Sequence, residues 1–198
     1  MPLVVATPPP NSQSALQLGL QNLSASPAVG RLYVQAQNLS FKLPHPVYEL
    51  PLIALLPKPI PAVPTLATAQ LIGWRFLIHE KTLFPNAQPV AAAELDAGGN
   101  EIRHFNFGPF VQSTHLTVNL ATPWPQFNGA DHEIRVLQVL PLSVVSLWIR
   151  RLDGLVETLV PLAPSPSYLT PNQQYSVPAF FAALAAEAAR ISTYKINP

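Results

Sequence analysis

The chain has 198 residues, enough for one large domain or a domain with an appendage, and a chain of this size buries about 70% of its unfolded surface on folding. Only 11% of its residues are charged, against about 25% in typical soluble domains, while 48% are apolar, 24 are Pro and none is Cys. Disulfides and thiolate metal sites are thereby excluded. A net charge of +1 without a Lys/Arg cluster leaves no electrostatic footprint for nucleic acid or anionic lipid, and nine Phe, five Tyr and three Trp exclude a disordered chain.

The first residues, MPLVVATPPPNSQS, carry neither a basic region nor an apolar run, so no Sec-type signal peptide is expected, and the location expected is cytoplasmic or within a larger particle. In ALQLGLQNL (15–23), Leu16, Leu18 and Leu20 alternate with polar or small residues, the period of a half-buried strand. RLYVQAQ (31–37) and NLSFKL (38–43) also read as strands. Seven Pro then fall in residues 44–64. Because Pro donates no ladder hydrogen bond, this segment predicts an extended strap or an edge strand and not a central strand. Within it, 57–64 is also a candidate ligand for an SH3-like groove.

LIGWRFLIHE (71–80) reads as a strand, and AAAELD and EIRHFNF flank Ala97-Gly98-Gly99-Asn100 as a second hairpin whose Glu94, Asp96 and Glu101 look like solvated loop charges. HLTVNL (115–120) alternates again and would put His115, Thr117 and Asn119 on one polar strand face, a candidate ligand cleft. Trp124, held between Pro123 and Pro125, is the aromatic expected to be exposed, to stack on a ligand or anchor an interface. HEIRVLQVL (132–140) is a strand, and the apolar run 136–149 is too short to span a bilayer, which takes roughly 20 residues, so it reads as two strands joined near Pro141.

The clearest local signal is LWIRRLDGLVETLV (147–160). A two-residue type I′ turn at Asp153-Gly154 would pair Leu152 with Leu155, and counting outward sets Arg150 against Glu157, Ile149 against Thr158, Trp148 against Leu159 and Leu147 against Val160. The last segment, SVPAFFAALAAEAARI (176–191), predicts a helix over 177–191 with Ser176 as N-cap and Pro178 in its first turn. Its apolar stripe, Phe180, Phe181 and Leu184 above all, needs a groove on this domain or on a neighbouring subunit.

Motifs for chemistry are sparse. There is no nucleophile elbow and no Gly-rich phosphate loop. Two of the five His sit in the charged triplets HEK (79–81) and DHE (131–133); His79, His104 and His132 are the candidate metal ligands, but no H-x-H or H-E-x-x-H spacing marks them as co-facing. No metal and no cofactor is expected.

Residues 1–30, 104–130 and 158–186 contain no Asp, Glu, Lys or Arg. Exposed strand edges and apolar patches are ordinarily guarded by charge, so tracts this long predict surfaces covered by copies of the same chain or by a fixed protein partner. In composition the chain is similar to virion coat, tail and other assembly subunits: β-rich, Pro-rich, poor in Lys and free of Cys, though without a basic arm for a genome.

The expectation is therefore a mainly β fold, an antiparallel β-sandwich or related barrel over 1–165 that includes the strap at 44–64. An extension over 166–198 would carry the single C-terminal helix. The expected function is a non-catalytic structural or interaction subunit, a homo-oligomer or one bound to a fixed partner, binding neither nucleic acid nor membrane. The alternatives are a small-molecule or glycan-binding module using Trp124 and the His115 face, and a His-based metal-dependent enzyme.

Overall fold

The structure, a computed structural model, describes residues 3–22, 39–56, 65–80, 88–127 and 130–194. In chain order the elements are β1 (Leu3–Val4), α1 (Ser12–Asn22), β2 (Leu39–Glu49), a 3-10 turn (Leu52–Leu55), β3 (Gln70–Glu80), β4 (Ala91–Asp96), β5 (Ile102–Asn106), α2 (Pro109–Ala121), β6 (His132–Val139), β7 (Val144–Arg151), β8 (Glu157–Pro161), β9 (Tyr175–Ser176) and α3 (Val177–Tyr194). The strand expected at 31–37 and the proline-rich ligand expected at 57–64 lie outside the described residues.

The chain is mainly β. Among the described residues the strands form one nine-stranded sheet in the order β5-β4-β3-β2-β6-β7-β8-β9, with β1 paired to β6. The sheet is open and mixed: β1 and β2 run parallel to β6, and the other pairs are antiparallel. Among the described residues the layers packed on it are helices, where a sandwich would have a second sheet and a barrel would have closed.

Alternation of side chains divides the core between the two faces. On one face α2 lays Val118 and Ala121 over Val47, Ile134, Val136, Leu147, Ile149 and Val160, and Val111 over Leu77 and Ala92. On the other, α1 covers Phe76, Ile78, Ala93 and Leu95, while α3 covers Leu137, Val139, Trp148 and Leu159. The C-terminal stripe is thus buried in its own chain, with Phe180 and Leu184 both 0% exposed and Phe181 8%. Ser176 Oγ accepts from Ala179 N (3.4 Å), as an N-cap should.

Two expected strands are helices. In α1, Leu16 and Leu20 are buried and Leu18 is 58% exposed. The i, i+4 spacing of Leu16 and Leu20 serves a helix as well as their even spacing serves a strand, and residues 15–23 contain no β-branched side chain to favour the strand. In α2, whose Thr and Val favour strands, tertiary burial prevails: Val111, Thr114, Thr117, Val118 and Ala121 fall on one helical face and all are buried. Pro109 at the first turn and Gly108 as N-cap start the helix, and Thr114 Oγ1 donates back to Phe110 O (2.7 Å).

Of the proline strap expected at 44–64 only the first part is corrected, residues 57–64 lying outside the described residues. Residues 44–49 belong to β2, an interior strand, but Pro44 and Pro46 lie in the half that pairs with β3 alone, since pairing with β6 begins at Val47. A bulge at Leu43, with φ of 49°, lets the strand carry these prolines without a lost ladder bond on the β6 side.

The β7–β8 hairpin keeps the expected register from Arg150↔Glu157 through Leu147↔Val160. Its turn differs: of the loop residues only Gly154 has positive φ (74°). Gly154 N donates to Arg151 O (2.8 Å) and Arg151 N to Val156 O (2.9 Å), so Leu152–Leu155 is a four-residue loop in place of a type I′ turn. Asp153 Oδ1 draws it that way by accepting from Arg151 Nε (2.8 Å) and Leu155 N (2.9 Å), while Leu152 N donates to Asp131 O (3.0 Å).

Candidate functional site

Beneath α2 the sheet holds a polar cluster. Arg75 on β3 and Glu94 on β4 are register partners facing the helix, as are Arg75 and His45 on β2. Arg75 Nε donates to Glu94 Oε1 (2.7 Å), its Nη2 donates to the same oxygen, and Gln138 Nε2 approaches that oxygen at 3.5 Å. Glu94 is therefore an ion-pair partner at 15% side-chain exposure, not the solvated loop charge its sequence context indicated. Asp96 does serve the loop: its Oδ1 accepts from Asn100 N (2.5 Å) and Glu101 N (3.2 Å), and the Asn100 bond leads in holding its pKa below the usual carboxylate value.

His45 is 2% exposed, and its Nδ1 lies 2.5 Å from Leu43 O, which assigns the proton to Nδ1 and leaves Nε2 as a lone pair. Burial, reinforced by the neighbouring Arg75 charge, lowers its pKa to about 3, so the ring is neutral at ordinary pH. His45, Arg75 and Gln138 are buried and Glu94 nearly so, on the sheet face that α2 covers. Its residue types gave one signal in the sequence, an Arg and a Glu inside otherwise apolar strands.

The helix breaks up the polar face expected at 115–120. His115 and Asn119, one turn apart, do share a side, with Asn119 Nδ2 and His115 Nε2 at 3.1 Å, but Thr117 points the opposite way, is fully buried and donates to Asn172 Oδ1 (2.7 Å). His115 stacks edge-on against His79 with ring centroids 5.6 Å apart, and burial, then Lys42, lowers its pKa. His104 lies on the edge strand β5 opposite Glu94, and His132 is buried against Phe127, its Nδ1 2.9 Å from Ala130 O. All five His and all ten carboxylates lie in described segments. Among the described residues no three His, Asp or Glu gather as a metal would require.

Trp124 is half-buried: it tilts over Phe127 at a centroid distance of 5.8 Å and joins the apolar cluster under α2. A feature without a sequence signal is the enclosure of Arg135, whose guanidinium carbon lies 5.1 Å from the Tyr48 ring centroid and 4.8 Å from that of Trp148, with its Nε donating to Glu133 Oε1 (2.7 Å). It ties β2, β6 and β7 together on the face α3 covers.

Among the described residues the outer side of α2 is exposed and partly apolar. Leu116 and Leu120, one turn apart, are 48% and 50% exposed, and Phe107 just before the helix is 45% exposed. Gln112 and Asn119 complete the stripe, and no charged residue occurs from 105 to 130. A separate open groove of about 480 Å³, lined by Pro51, Ile53, Ala54, Ala67, Thr68, Ala69 and Gln70, lies beside the 3-10 turn. No helix among the described residues is long and apolar enough to cross a membrane. No family model, no curated protein and no solved structure matches the chain.

Proposed function

We propose that the protein is a non-catalytic structural or interaction subunit that contacts copies of itself or a fixed partner through charge-poor surfaces. One observation carries the reading: α2 turns Leu116 and Leu120 outward on a helix whose whole exposed side is uncharged. An exposed apolar stripe without charged guards is the physical signature of a surface that is covered in use. Buried polar groups are paired within the fold, Arg75 with Glu94 across β3 and β4, and Thr117 of α2 with Asn172 of the loop before β9.

Native mass spectrometry together with light scattering across a concentration series tests the reading. The wild type is expected to give species heavier than one chain, and L116E/L120E to reduce them while leaving the far-ultraviolet circular dichroism unchanged. A wild type that stays a single chain at every concentration overturns it.

A further inference from the structure

We infer that acid releases α2 from the sheet, protonation of the histidines gathered against it being the trigger. The inference concerns the inner side of the helix and holds whether or not its outer side is an interface.

All five His of the chain stand on α2 or on the face of the sheet it packs against. His45 is the register partner of Arg75, and His104 that of Glu94. His79 lies four residues along β3 from Arg75, hence on the same face, and meets His115 of α2 with ring centroids 5.6 Å apart. His132 packs against Phe127 within the apolar cluster of that face. The charged groups facing His45 and His115 are Lys42 on β2, Arg75 on β3 and Glu94 on β4, and Glu94 is already committed to Arg75 (2.7 Å). The segment 158–186 meets α2 where Thr117 donates to Asn172 Oδ1 and Ala163 N donates to Ser113 Oγ, and it carries no charge. Protons on His45 and His115 therefore join Lys42 and Arg75 against Glu94. The two remaining rings contribute less: His104 is exposed with the helix in place, and Asp153 offsets a charge on His132.

Burial sets the direction. Burial, then Arg75, lowers the His45 pKa to about 3, and burial, then Lys42, lowers that of His115. Lifting α2 returns water to both rings and with it their ordinary affinity for a proton. A pKa lower in the closed form than in the released form leaves closure intact above the ordinary imidazole value and weakens it as the pH falls. The ratio of released to closed helix then rises by about tenfold per pH unit for each imidazole that takes up a proton. His79 sharpens the effect, since a proton on either ring of the His79–His115 pair opposes one on the other. The helix is also suited to open alone: its sheet side is built from Val111, Ser113, Thr114, Thr117, Val118 and Ala121, and its N-cap, Gly108, supplies no side-chain capping bond.

Hydrogen exchange read by mass spectrometry tests the inference, at pH 7 and pH 5 and corrected for the pH dependence of intrinsic exchange. Peptides within 109–121 are expected to lose about tenfold or more in protection at pH 5 while those in β6 and β7 hold theirs. H115Q, at a partly exposed position, is expected to lessen that loss by the share of one proton, and H45Q/H115Q to remove it, with circular dichroism at pH 7 as the fold check. If the double variant does not fold, H115Q alone decides, and a loss in it equal to that of the wild type overturns the inference. Equal protection of α2 at both pH values overturns it too, as does a loss shared equally by α2, β6 and β7, which is acid unfolding of the whole chain.

Discussion

The two helices α2 and α3 lie on opposite faces of the same sheet and treat their apolar residues differently. In α3 the large residues Phe180, Phe181 and Leu184 are all turned into the core. In α2 the core side is built from smaller residues, Val111, Thr114, Thr117, Val118 and Ala121, and its two leucines, Leu116 and Leu120, are turned out. Both helices are net neutral, although α3 carries the Glu187–Arg190 ion pair and α2 no charged residue, so net charge does not say which helix is an interior element and which offers a surface. That is decided by where the larger side chains fall around the helix.

The comparison can be sharpened by substitutions of decreasing effect. Phe180→Ala is expected to cost about 3–5 kcal/mol in urea unfolding, since a 0% exposed aromatic leaves a cavity beneath α3. Glu94→Leu is expected to cost roughly 3–5 kcal/mol as well, because Arg75 would be left charged and unpaired under α2, and adding Arg75→Met should recover most of the loss. Failure of the double variant to recover would show that the cluster does more than balance a charge.

The His45 ring gives the α2 side a pH dependence. Its folded pKa is about 3 against 6.5 for a free imidazole, so between these limits the unfolded chain takes up a proton that the folded chain refuses. Stability from this site is therefore intact above pH 6.5 and falls as the pH drops toward 3, by about 1.4 kcal/mol per pH unit for one proton. His45→Gln, followed by urea unfolding between pH 7 and pH 4, should flatten the slope by about one proton; an unchanged slope would place the titration elsewhere, His115 being the next candidate.

The smallest expected effect on stability belongs to the exposed leucines. Leu116→Ala should change unfolding by less than about 0.5 kcal/mol, as surface substitutions do. The same change should weaken self-association, so that α2 is separated from α3 by a property other than stability.

Local signals were read correctly where one segment contains its own partner or its own stop. The hairpin register from Arg150↔Glu157 outward follows from facing apolar runs around Asp153-Gly154, and the C-terminal helix from Ser176, Pro178 and an Ala-rich run. The turn type was not legible, because Asp153 also answers to Arg151, and Leu152 N is held by Asp131 from outside the hairpin. Nor was the cluster of His45, Arg75, Glu94 and Gln138, whose members come from four strands separated by up to 93 residues in sequence.

Sequence alone therefore determined the mainly β class, most strand positions, the terminal helix and the absence of thiol chemistry, all properties of composition or of a few adjacent residues. Tertiary structure decided that 12–22 and 109–121 are helices, that β2 is interior despite Pro44 and Pro46, and which apolar residues face outward. An even spacing of leucines satisfies a strand and a helix alike over one or two turns, and only burial against the rest of the chain, Leu16 and Leu20 inward with Leu18 left out, separates the two.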